Sequence, residues 1–333
     1  MNSQNQNGKA SPSKSKSRGC LIWLGRIVVS IIGLMLVGAI YERMAEAADA
    51  KAYPPPGQMV DVGGYRLHIH CTGSGSPTVV IESGWGDFSA SWGWVQPEVA
   101  KTTRVCTYDR AGMGWSESSP QPRTAREFAQ ELHTLLAKAN EPGPYVLVGH
   151  SLGGYTMRVY AHDYPDEVSG LVLIDAQDLP PADVSAPKPA PKPGGLLSRL
   201  MAAALSRTGL VRLLPGLFGS IEELPPANKQ AYTAAAVAPR FVQTFLDEGM
   251  GMSEGGAQAS AVTTLDIPLI VLSRGKDQDA KHTAAQAALL QLSADSQQFF
   301  AEQSGHPIMI EQPEAAVAAI VKMVELVRQT LQK

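Results

Sequence analysis

Eight short apolar runs recur along the chain from residue 58 onward, and they constrain its fold more than any other feature. They read "MVDVGG", "YRLHIHCTG", "TVVIESG", "TRVCTYDR", "YVLVGHS", "LVLIDA", "IPLIVLSRG" and "QQFFAEQSGH". Helical patterns such as residues 125–139 and 155–164 separate most of the later runs. Apolar strands that alternate with helices predict a mainly parallel sheet with helices on both faces. The Gly63-Gly64 turn predicts an antiparallel hairpin at the first edge.

One long insertion interrupts this alternation, between "LVLIDA" and "IPLIVLSRG". It begins with the Pro-rich, irregular stretch "DLPPADVSAPKPAPKPGG" and continues with amphipathic helical patterns over residues 196–218 and 231–246. Connections of this length inside a compact domain usually serve a function, for example as a lid. We therefore expect a helical cap over the C-terminal edge of the sheet, at about residues 176–262.

The N-terminal region has a different composition from the rest of the chain. Residues 21–41 form an apolar run whose only charge is Arg26, and at 1.5 Å per residue a helix of this length spans roughly 30 Å, the thickness of a bilayer core. Residues 1–20 are polar and basic, which predicts a disordered cytoplasmic segment. The positive-inside bias then predicts a transmembrane anchor with the rest of the chain outside the cytoplasmic membrane.

A cleaved signal peptide is the alternative to the anchor. The tripeptide Ala45-Glu46-Ala47 offers a small-residue cleavage site, although the apolar run exceeds the roughly 7–15 residues of a usual signal core. Both interpretations place the folded part outside the cytoplasmic membrane. Residues 42–57 are expected to form a linker, stiffened at its end by "PPP".

Composition and charge narrow the function classes. The chain has 333 residues, a formal net charge of −3 and 44% hydrophobic residues, which is typical of a globular protein. Without a basic excess, we expect no nucleic-acid partner. Seven scattered histidines and three cysteines lack the spacing of a zinc site, so we expect neither a metal nor a cofactor.

The motif "GHSLG" at residues 149–153 places a serine between a predicted strand and a predicted helix. It fits the G-x-S-x-G pattern, in which a sharp strand-to-helix turn lifts the serine hydroxyl clear of the sheet. The pattern is weak alone, but its strand-turn-helix context predicts that Ser151 is a nucleophile. The N-terminus of the helix directs free N–H groups toward any developing negative charge.

A nucleophilic serine needs a base, and His306 follows the last strand-like run. The other histidines fit less well. His68 and His70 alternate on one strand and are expected on its solvent side, while the turn is expected to direct His150 away from the serine. His282 is a weaker competitor, in a stretch that follows an acidic loop.

The imidazole needs a carboxylate that fixes its tautomer and stabilises its cationic form. Two positions compete for this role: Asp277, in the loop after the seventh strand, and Asp175, at the end of the sixth. Either can reach a histidine in the loop after strand eight, and we favour Asp277 narrowly. For the oxyanion hole we expect the backbone N–H groups of Leu152 and Trp85, each contributing roughly 2.7–4 kcal/mol at the transition state.

These residues closely resemble the α/β-hydrolase superfamily over about residues 58–333. Further matching stretches are "TYDRAGMGWSESS", "YPDEVSGLVLIDA" and "SGHPIMIEQPEAAVAAI". The resemblance implies an eight-stranded, mostly parallel α/β-hydrolase sheet with a helical cap inserted after strand six, here preceded by one N-terminal transmembrane helix. It also implies a two-step acyl-enzyme mechanism, with Ser151 as the nucleophile and His306 as base and then acid.

Two positions depart from the family pattern. The oxyanion loop commonly carries His-Gly and here reads Ser83-Gly84, although the donor itself is a backbone amide. The loop after strand seven commonly reads Gly-x-x-Asp, whereas Gln278 stands at that spacing from Gly275, which keeps Asp175 open as the acid. Epoxide hydrolases and haloalkane dehalogenases of this fold use an aspartate nucleophile, and Ser151 argues against both.

The family's usual strand order makes strands two and four neighbours, which implies a disulfide between Cys71 and Cys106 in an oxidising compartment. The whole pattern predicts a membrane-anchored serine hydrolase that cleaves a carboxylic ester, with a lipid or other apolar acyl compound as a candidate substrate. Hydrolysis of another acyl bond (amide or C–C), acyl transfer and a non-catalytic binding role on the same fold are alternatives, because substrate choice resides in the cap. The expected partners are a small acyl substrate and, through residues 21–41, the membrane.

Overall fold

The computed structural model describes residues 14–177, 194–213 and 222–331. The strands are β1 Gln58–Asp61, β2 Arg66–Thr72, β3 Thr78–Glu82, β4 Val105–Tyr108, β5 Tyr145–His150, β6 Val168–Ile174, β7 Leu269–Arg274 and β8 Ser296–Ala301. The helices are α1 Lys14–Ala52, α2 Gln96–Val99, α3 Ala125–Ala139, α4 Gly153–Asp163, α5 Gly194–Arg207, α6 Pro226–Ala236, α7 Pro239–Ser260, α8 Ala280–Leu289, α9 Ile308–Glu311 and α10 Pro313–Leu331.

The eight strands form one sheet in the order β1-β2-β4-β3-β5-β6-β7-β8. The β1–β2 and β2–β4 pairs are antiparallel, and every later pair is parallel. The predicted eight-stranded, mostly parallel sheet with an antiparallel first edge is therefore confirmed. Parallel strands bring their C-terminal ends to one edge, which is where ligands bind in sheets of this class.

Both faces of the sheet are covered by helices. Neighbouring strand residues face opposite sides, so Leu147 packs into one core while Val146 and Val148 pack into the other. The first core is closed by residues of α3 and α4, and the second by α2, α9 and α10. This double burial explains why the central strands read as continuous apolar runs rather than alternating ones.

Helices α5, α6 and α7 occupy the long connection between β6 and β7, as expected for the cap. The cap packs on the main domain through its own apolar cluster, in which Phe88 and Met113 meet Tyr232 and Phe241. The helix expected over residues 231–246 is divided at Pro239, where a proline in the first turn starts α7. The Pro-rich start of the insertion lies outside the described residues.

Helix α1 is longer than the sequence suggested. Within the described residues it is the one helix long and apolar enough to cross a membrane, over Leu21–Ala52. The helix continues to Ala52, so the segment expected as a linker, residues 42–57, is helical over most of its length. The physical reason is that this part of α1 packs against the cap, which stabilises the helix beyond its apolar run. Most of the expected disordered segment, residues 1–13, lies outside the described part.

His68 does not lie on the solvent side of β2, contrary to expectation. Its side chain is fully buried, Nδ1 lies 3.0 Å from Asp109 Oδ2, and its ring packs against Trp115. Both faces of the β2 edge are covered here, because the loop after β4 folds back over the strand. Asp109 also accepts hydrogen bonds from the backbone N–H groups of Ser89 and Trp115, which fixes that loop.

Cys71 and Cys106 pair across the β2–β4 ladder and are joined by a disulfide. The two cysteines are 35 residues apart in the sequence.

Because a bridge of this loop length restricts the unfolded chain, we expect the Cys71→Ser/Cys106→Ser double variant to lose roughly 4 kcal/mol of stability. Thermal unfolding in detergent micelles measures the loss, with Cys20→Ser as the control. A shift no larger than that of the control would contradict the prediction.

Candidate active site

Ser151 follows β5 directly and occupies the sharp turn into α4. Its φ of +50° lies in the left-handed region that non-glycine residues rarely adopt, and its N–H donates to the Ile174 carbonyl at 3.2 Å. The flanking glycines are needed for close packing: a Cβ on Gly149 would lie 2.7 Å from the Gly153 carbonyl oxygen, and one on Gly153 would lie 2.8 Å from the Glu82 carbonyl oxygen. The turn therefore has the strained geometry that the G-x-S-x-G pattern predicts.

Asp175 is the carboxylate that contacts His306. The His306 Nδ1 donates to Asp175 Oδ2 at 2.5 Å, and the Asp175 side chain is 1% exposed. Asp175 directly follows β6 and, like Ser151, has a positive φ, of +39°. Because Nδ1 carries the proton, a neutral His306 presents the lone pair of Nε2 on the other side of the ring.

Asp277, the acid favoured from the sequence, is not the residue brought to His306. It lies exposed in the loop after β7, with a φ of +53°. Its backbone carbonyl accepts a hydrogen bond from Arg274, and its carboxylate lies close to Gly305, beside the histidine loop. Asp175 meets the imidazole from the end of β6, the strand beside β5, whereas the side chain of Asp277 is exposed.

Ser151 and His306 lie at the same edge of the sheet, and residues next to them link the segments that carry them. On one side, His150 Nε2 donates to the His306 carbonyl oxygen at 3.0 Å, and the two rings lie 4.6 Å apart. On the other, the Ser151 carbonyl accepts from Gln177, two residues after Asp175. Burial, together with the nearby His306, lowers the pKa of His150 to about 3, so this side chain stays neutral. Its Nε2 carries the proton and bonds to the loop that contains His306.

Asp175 is held by more than one partner. Its Oδ1 accepts from His282 Nε2 at 2.7 Å, and Arg274 donates to both carboxylate oxygens through its backbone N–H and its guanidinium group. Burial alone would raise the pKa of Asp175, but the hydrogen bonds from His306, His282 and Arg274 outweigh it and lower the pKa to about 2. The carboxylate is therefore ionised across the physiological pH range.

His282→Leu is expected to lower kcat by roughly tenfold with little change in KM, because a hydrogen bond to a charged group contributes about 1.5 kcal/mol or more. The loss would leave Asp175 Oδ1 with the longer hydrogen bond from the Arg274 backbone N–H, at 3.3 Å. His282→Gln is the matched control, since its amide N–H can replace the Nε2 donor, and we expect it to recover most of the activity. Steady-state hydrolysis of a nitrophenyl ester measures both. Equal activity of wild type and the Leu variant would contradict a positioning role.

The two residues expected to form the oxyanion hole lie in segments next to the serine. Gly84 packs against Ser151, since a Cβ at position 84 would be 3.1 Å from Ser151 Cβ. Trp85 follows in the same loop, and Leu152 precedes the first turn of α4, where N–H groups have no earlier carbonyl of the helix to bond. The side chain of Trp85 is tied to the cap: Nε1 donates to the Phe245 carbonyl at 2.8 Å, and the two rings stack 4.3 Å apart.

A buried guanidinium group holds the backbone of this loop. Arg110 donates to the carbonyl oxygens of Ser83 and Gly84 at 2.6 and 2.7 Å, and it forms a bidentate ion pair with Glu248 of α7 at 2.7 and 2.9 Å. A second carboxylate, Glu82, lies 3.4 Å from Arg110, and burial raises its pKa to about 7. One guanidinium group thus joins the oxyanion loop to the cap.

Sequence reasoning missed the supporting residues more than the central ones. Glu248 is 138 residues from Arg110, and Asp175 is 107 residues from His282, so no local spacing indicates either contact. His150 carried one available signal, its position beside the serine at the end of a buried strand. The positive φ at Asp175 reflects a turn directly after the strand, which the bare sequence "LVLIDA" does not reveal.

Comparisons with known proteins agree with the fold. A model of the alpha/beta hydrolase family matches residues 67–320. An uncharacterized protein of Schizosaccharomyces pombe is 31% identical over 263 residues, which are 68% of this chain and 47% of that protein. The chain spans at most about half the length of the first curated relatives it matches.

Two solved structures illustrate the range of hydrolases with this fold. A thermophilic esterase from Thermogutta terrifontis superposes with a TM-score of 0.61 at 23% identity, covering 81% of this chain and 98% of the esterase. The epoxide hydrolase CorEH superposes with a TM-score of 0.63 at 21% identity, covering 81% and 98%. At these identities the likeness concerns the fold alone. The family match covers most of the sheet and every expected site residue, and on that ground the chain belongs to the alpha/beta hydrolase family.

Proposed function

We propose that the protein is a serine hydrolase that cleaves a carboxylic ester of an apolar acyl compound through an acyl-enzyme intermediate. Ser151 attacks the carbonyl carbon while His306 Nε2 accepts its proton, and the same imidazole then protonates the leaving alcohol. Asp175 keeps the proton of His306 on Nδ1 and stabilises the imidazolium ion. The backbone N–H groups of Leu152 and Trp85 stabilise the oxyanion, and water completes the cycle by attacking the acyl-enzyme.

One observation carries this proposal: a serine with a strained, positive φ lies at the same sheet edge as an imidazole whose Nδ1 donates to a buried carboxylate. A fold kept only for binding would have no need of that backbone strain, because strain is unfavourable for stability. A serine at the turn also argues against epoxide hydrolysis by an aspartate nucleophile. Ester hydrolysis is the simplest acyl transfer that this set of groups supports.

We further propose that residues 21–41 anchor the enzyme in the cytoplasmic membrane with the hydrolase domain outside. The apolar length of the helix and the basic residues before it support this orientation. A disulfide between β2 and β4 is also compatible with an oxidising compartment. Sequencing the N-terminus of the mature protein tests the anchor, since a start near Ala48 would mean that a signal peptide had been removed.

A fluorophosphonate probe and a panel of nitrophenyl esters test the enzymatic proposal. We expect the probe to modify the folded protein on the peptide that contains Ser151, and we expect turnover of esters with a preference for longer acyl chains. Heat-denatured protein is the control, because only the assembled site activates the hydroxyl group. An intact protein that neither reacts with the probe nor hydrolyses any ester would remove the proposal.

A further inference from the structure

Helix α1 is fastened to the cap by a buried ion-pair cluster. Arg212, which follows α5, lies 2.8 Å from Glu42 Oε2 through Nε and 2.6 Å from Asp49 Oδ2 through a terminal guanidinium nitrogen. Glu42 is 1% exposed, and Arg212 is mostly buried. Seven residues are about two helical turns, so both carboxylates lie on the side of α1 that faces the cap. Removing one partner of this cluster would leave a buried charge uncompensated and would destabilise the contact between α1 and the cap.

The same junction fixes the position of the cap along the axis of α1. Gly38 packs so closely against the turn after α5 that a Cβ at this position would lie 2.4 Å from the Thr208 carbonyl oxygen. Gly209 lies against the ring of Tyr41 in the same way. Gly38 is three residues, or about 4.5 Å, inside the C-terminal end of the apolar run over residues 21–41. A membrane that surrounds that run must therefore reach the turn after α5.

The part of the cap beside this junction exposes large apolar side chains. We call this set the cap apolar face, and it consists of Leu200, Met201, Leu205, Leu210 and Leu213, with exposed fractions of 60, 55, 46, 48 and 69%. Single exposed leucines are common on protein surfaces, but a cluster within one short segment indicates an interaction site. Met201 and Leu205 are four residues apart on α5 and so lie on one side of the helix.

We propose that the cap apolar face is inserted into the leaflet on the hydrolase side of the membrane that α1 crosses, at the boundary between headgroups and acyl chains. This inference rests on the proposed membrane anchoring. The occupant is lipid, because the face is continuous with a helix whose own apolar side chains are exposed over residues 21–37. Amphipathic segments bury their apolar side roughly 5–10 Å into this boundary, a depth compatible with the position of Gly38. The cap, and through α7 the oxyanion loop, is then held at a fixed orientation to the lipid surface.

The test uses the full-length protein in nanodiscs of phosphatidylcholine and phosphatidylglycerol, with Cys20→Ser removing the one cysteine outside the disulfide. An environment-sensitive nitrobenzoxadiazole label is attached to Leu205→Cys or Leu213→Cys. Val29→Cys, within α1, is the membrane control, and Phe300→Cys, an exposed aromatic position on the far edge strand β8, is the solvent control. We expect the labels at 205 and 213 to emit at shorter wavelength and to lose most of their emission when doxyl-labelled lipid is included.

The controls separate the possible failures. If the label at 29 is quenched but those at 205 and 213 behave like the label at 300, the membrane anchor stands and the insertion of the cap is wrong. If the label at 29 is not quenched either, the anchor fails and the inference fails with it. A shortened wavelength that is insensitive to doxyl lipid and disappears at one protein per nanodisc would mean that a second copy covers the face, which also overturns the proposal. Ester hydrolysis is measured on the same samples and tests the enzymatic proposal separately.

Discussion

Ser151→Ala is expected to lower kcat for ester hydrolysis by roughly 10⁴- to 10⁶-fold and to abolish modification by a fluorophosphonate. The variant removes the hydroxyl group that, in the proposed mechanism, His306 and Asp175 activate. The residual rate should come from the oxyanion donors and from substrate binding, which still favour attack by water. Steady-state kinetics and probe labelling measure the two effects.

A matched serine variant distinguishes loss of the nucleophile from general damage. Ser169→Ala changes a serine at the N-terminal end of β6, where its hydroxyl donates to the Tyr145 carbonyl at 3.0 Å, far from the C-terminal edge of the sheet. We expect this variant to keep its labelling and most of its activity. Labelling that persists in Ser151→Ala would show that another residue reacts, and the proposed mechanism would then be wrong.

Asp175→Asn is expected to lower kcat by about 10⁴-fold, whereas Asp277→Asn should stay within a few-fold of wild type. The His306 Nδ1 donates to Asp175 Oδ2, and an amide in place of the carboxylate both weakens stabilisation of the imidazolium ion and permits the wrong tautomer. Asp277 is exposed and makes no such contact with the imidazole within the described structure. Measuring kcat for both variants, with circular dichroism to verify folding, decides between the two aspartates.

The pH dependence of stability provides a second readout for the same pair. The pKa of Asp175 is lowered from 3.8 to about 2, so its contribution to stability is fully present above pH 3.8 and is lost as the pH falls through 2. We expect Asp175→Asn to remove this acid-side loss, while Asp277→Asn leaves it unchanged. A larger kcat loss in Asp277→Asn than in Asp175→Asn would assign the acid to Asp277, and no loss in either would mean that the triad is wrong.

Local features of the chain were sufficient to predict the fold and to select the two central residues of the candidate site. The alternation of apolar runs and helical patterns predicted eight strands, because secondary structure depends on the spacing of apolar residues over short windows. Ser151 was predicted from its strand-turn-helix context, and His306 from its place after the last strand. Each of these signals lies within about ten residues, so no long-range contact had to be known.

The choice between Asp175 and Asp277 could not be made from local features of the sequence. Both follow strands that end at the same edge of the sheet, so propensity and motif do not separate them, and the family pattern favoured neither. Only the course of each loop in three dimensions decides which carboxylate meets the imidazole. The burial of His68 and the continuation of α1 to Ala52 were missed for the same reason, since each depends on a segment distant in sequence that packs over it.

The amino-acid sequence alone thus determined the strand count, the family, the strand-turn-helix at Ser151 and the apolar N-terminal helix, because each is encoded in adjacent residues. Only the tertiary structure decided which aspartate serves His306, that His282 and Arg274 support it, and that the cap packs on α1 at the level of Gly38. Those contacts join residues 99 to 170 positions apart, where the free energy depends on complementary packing and charge rather than on any local pattern.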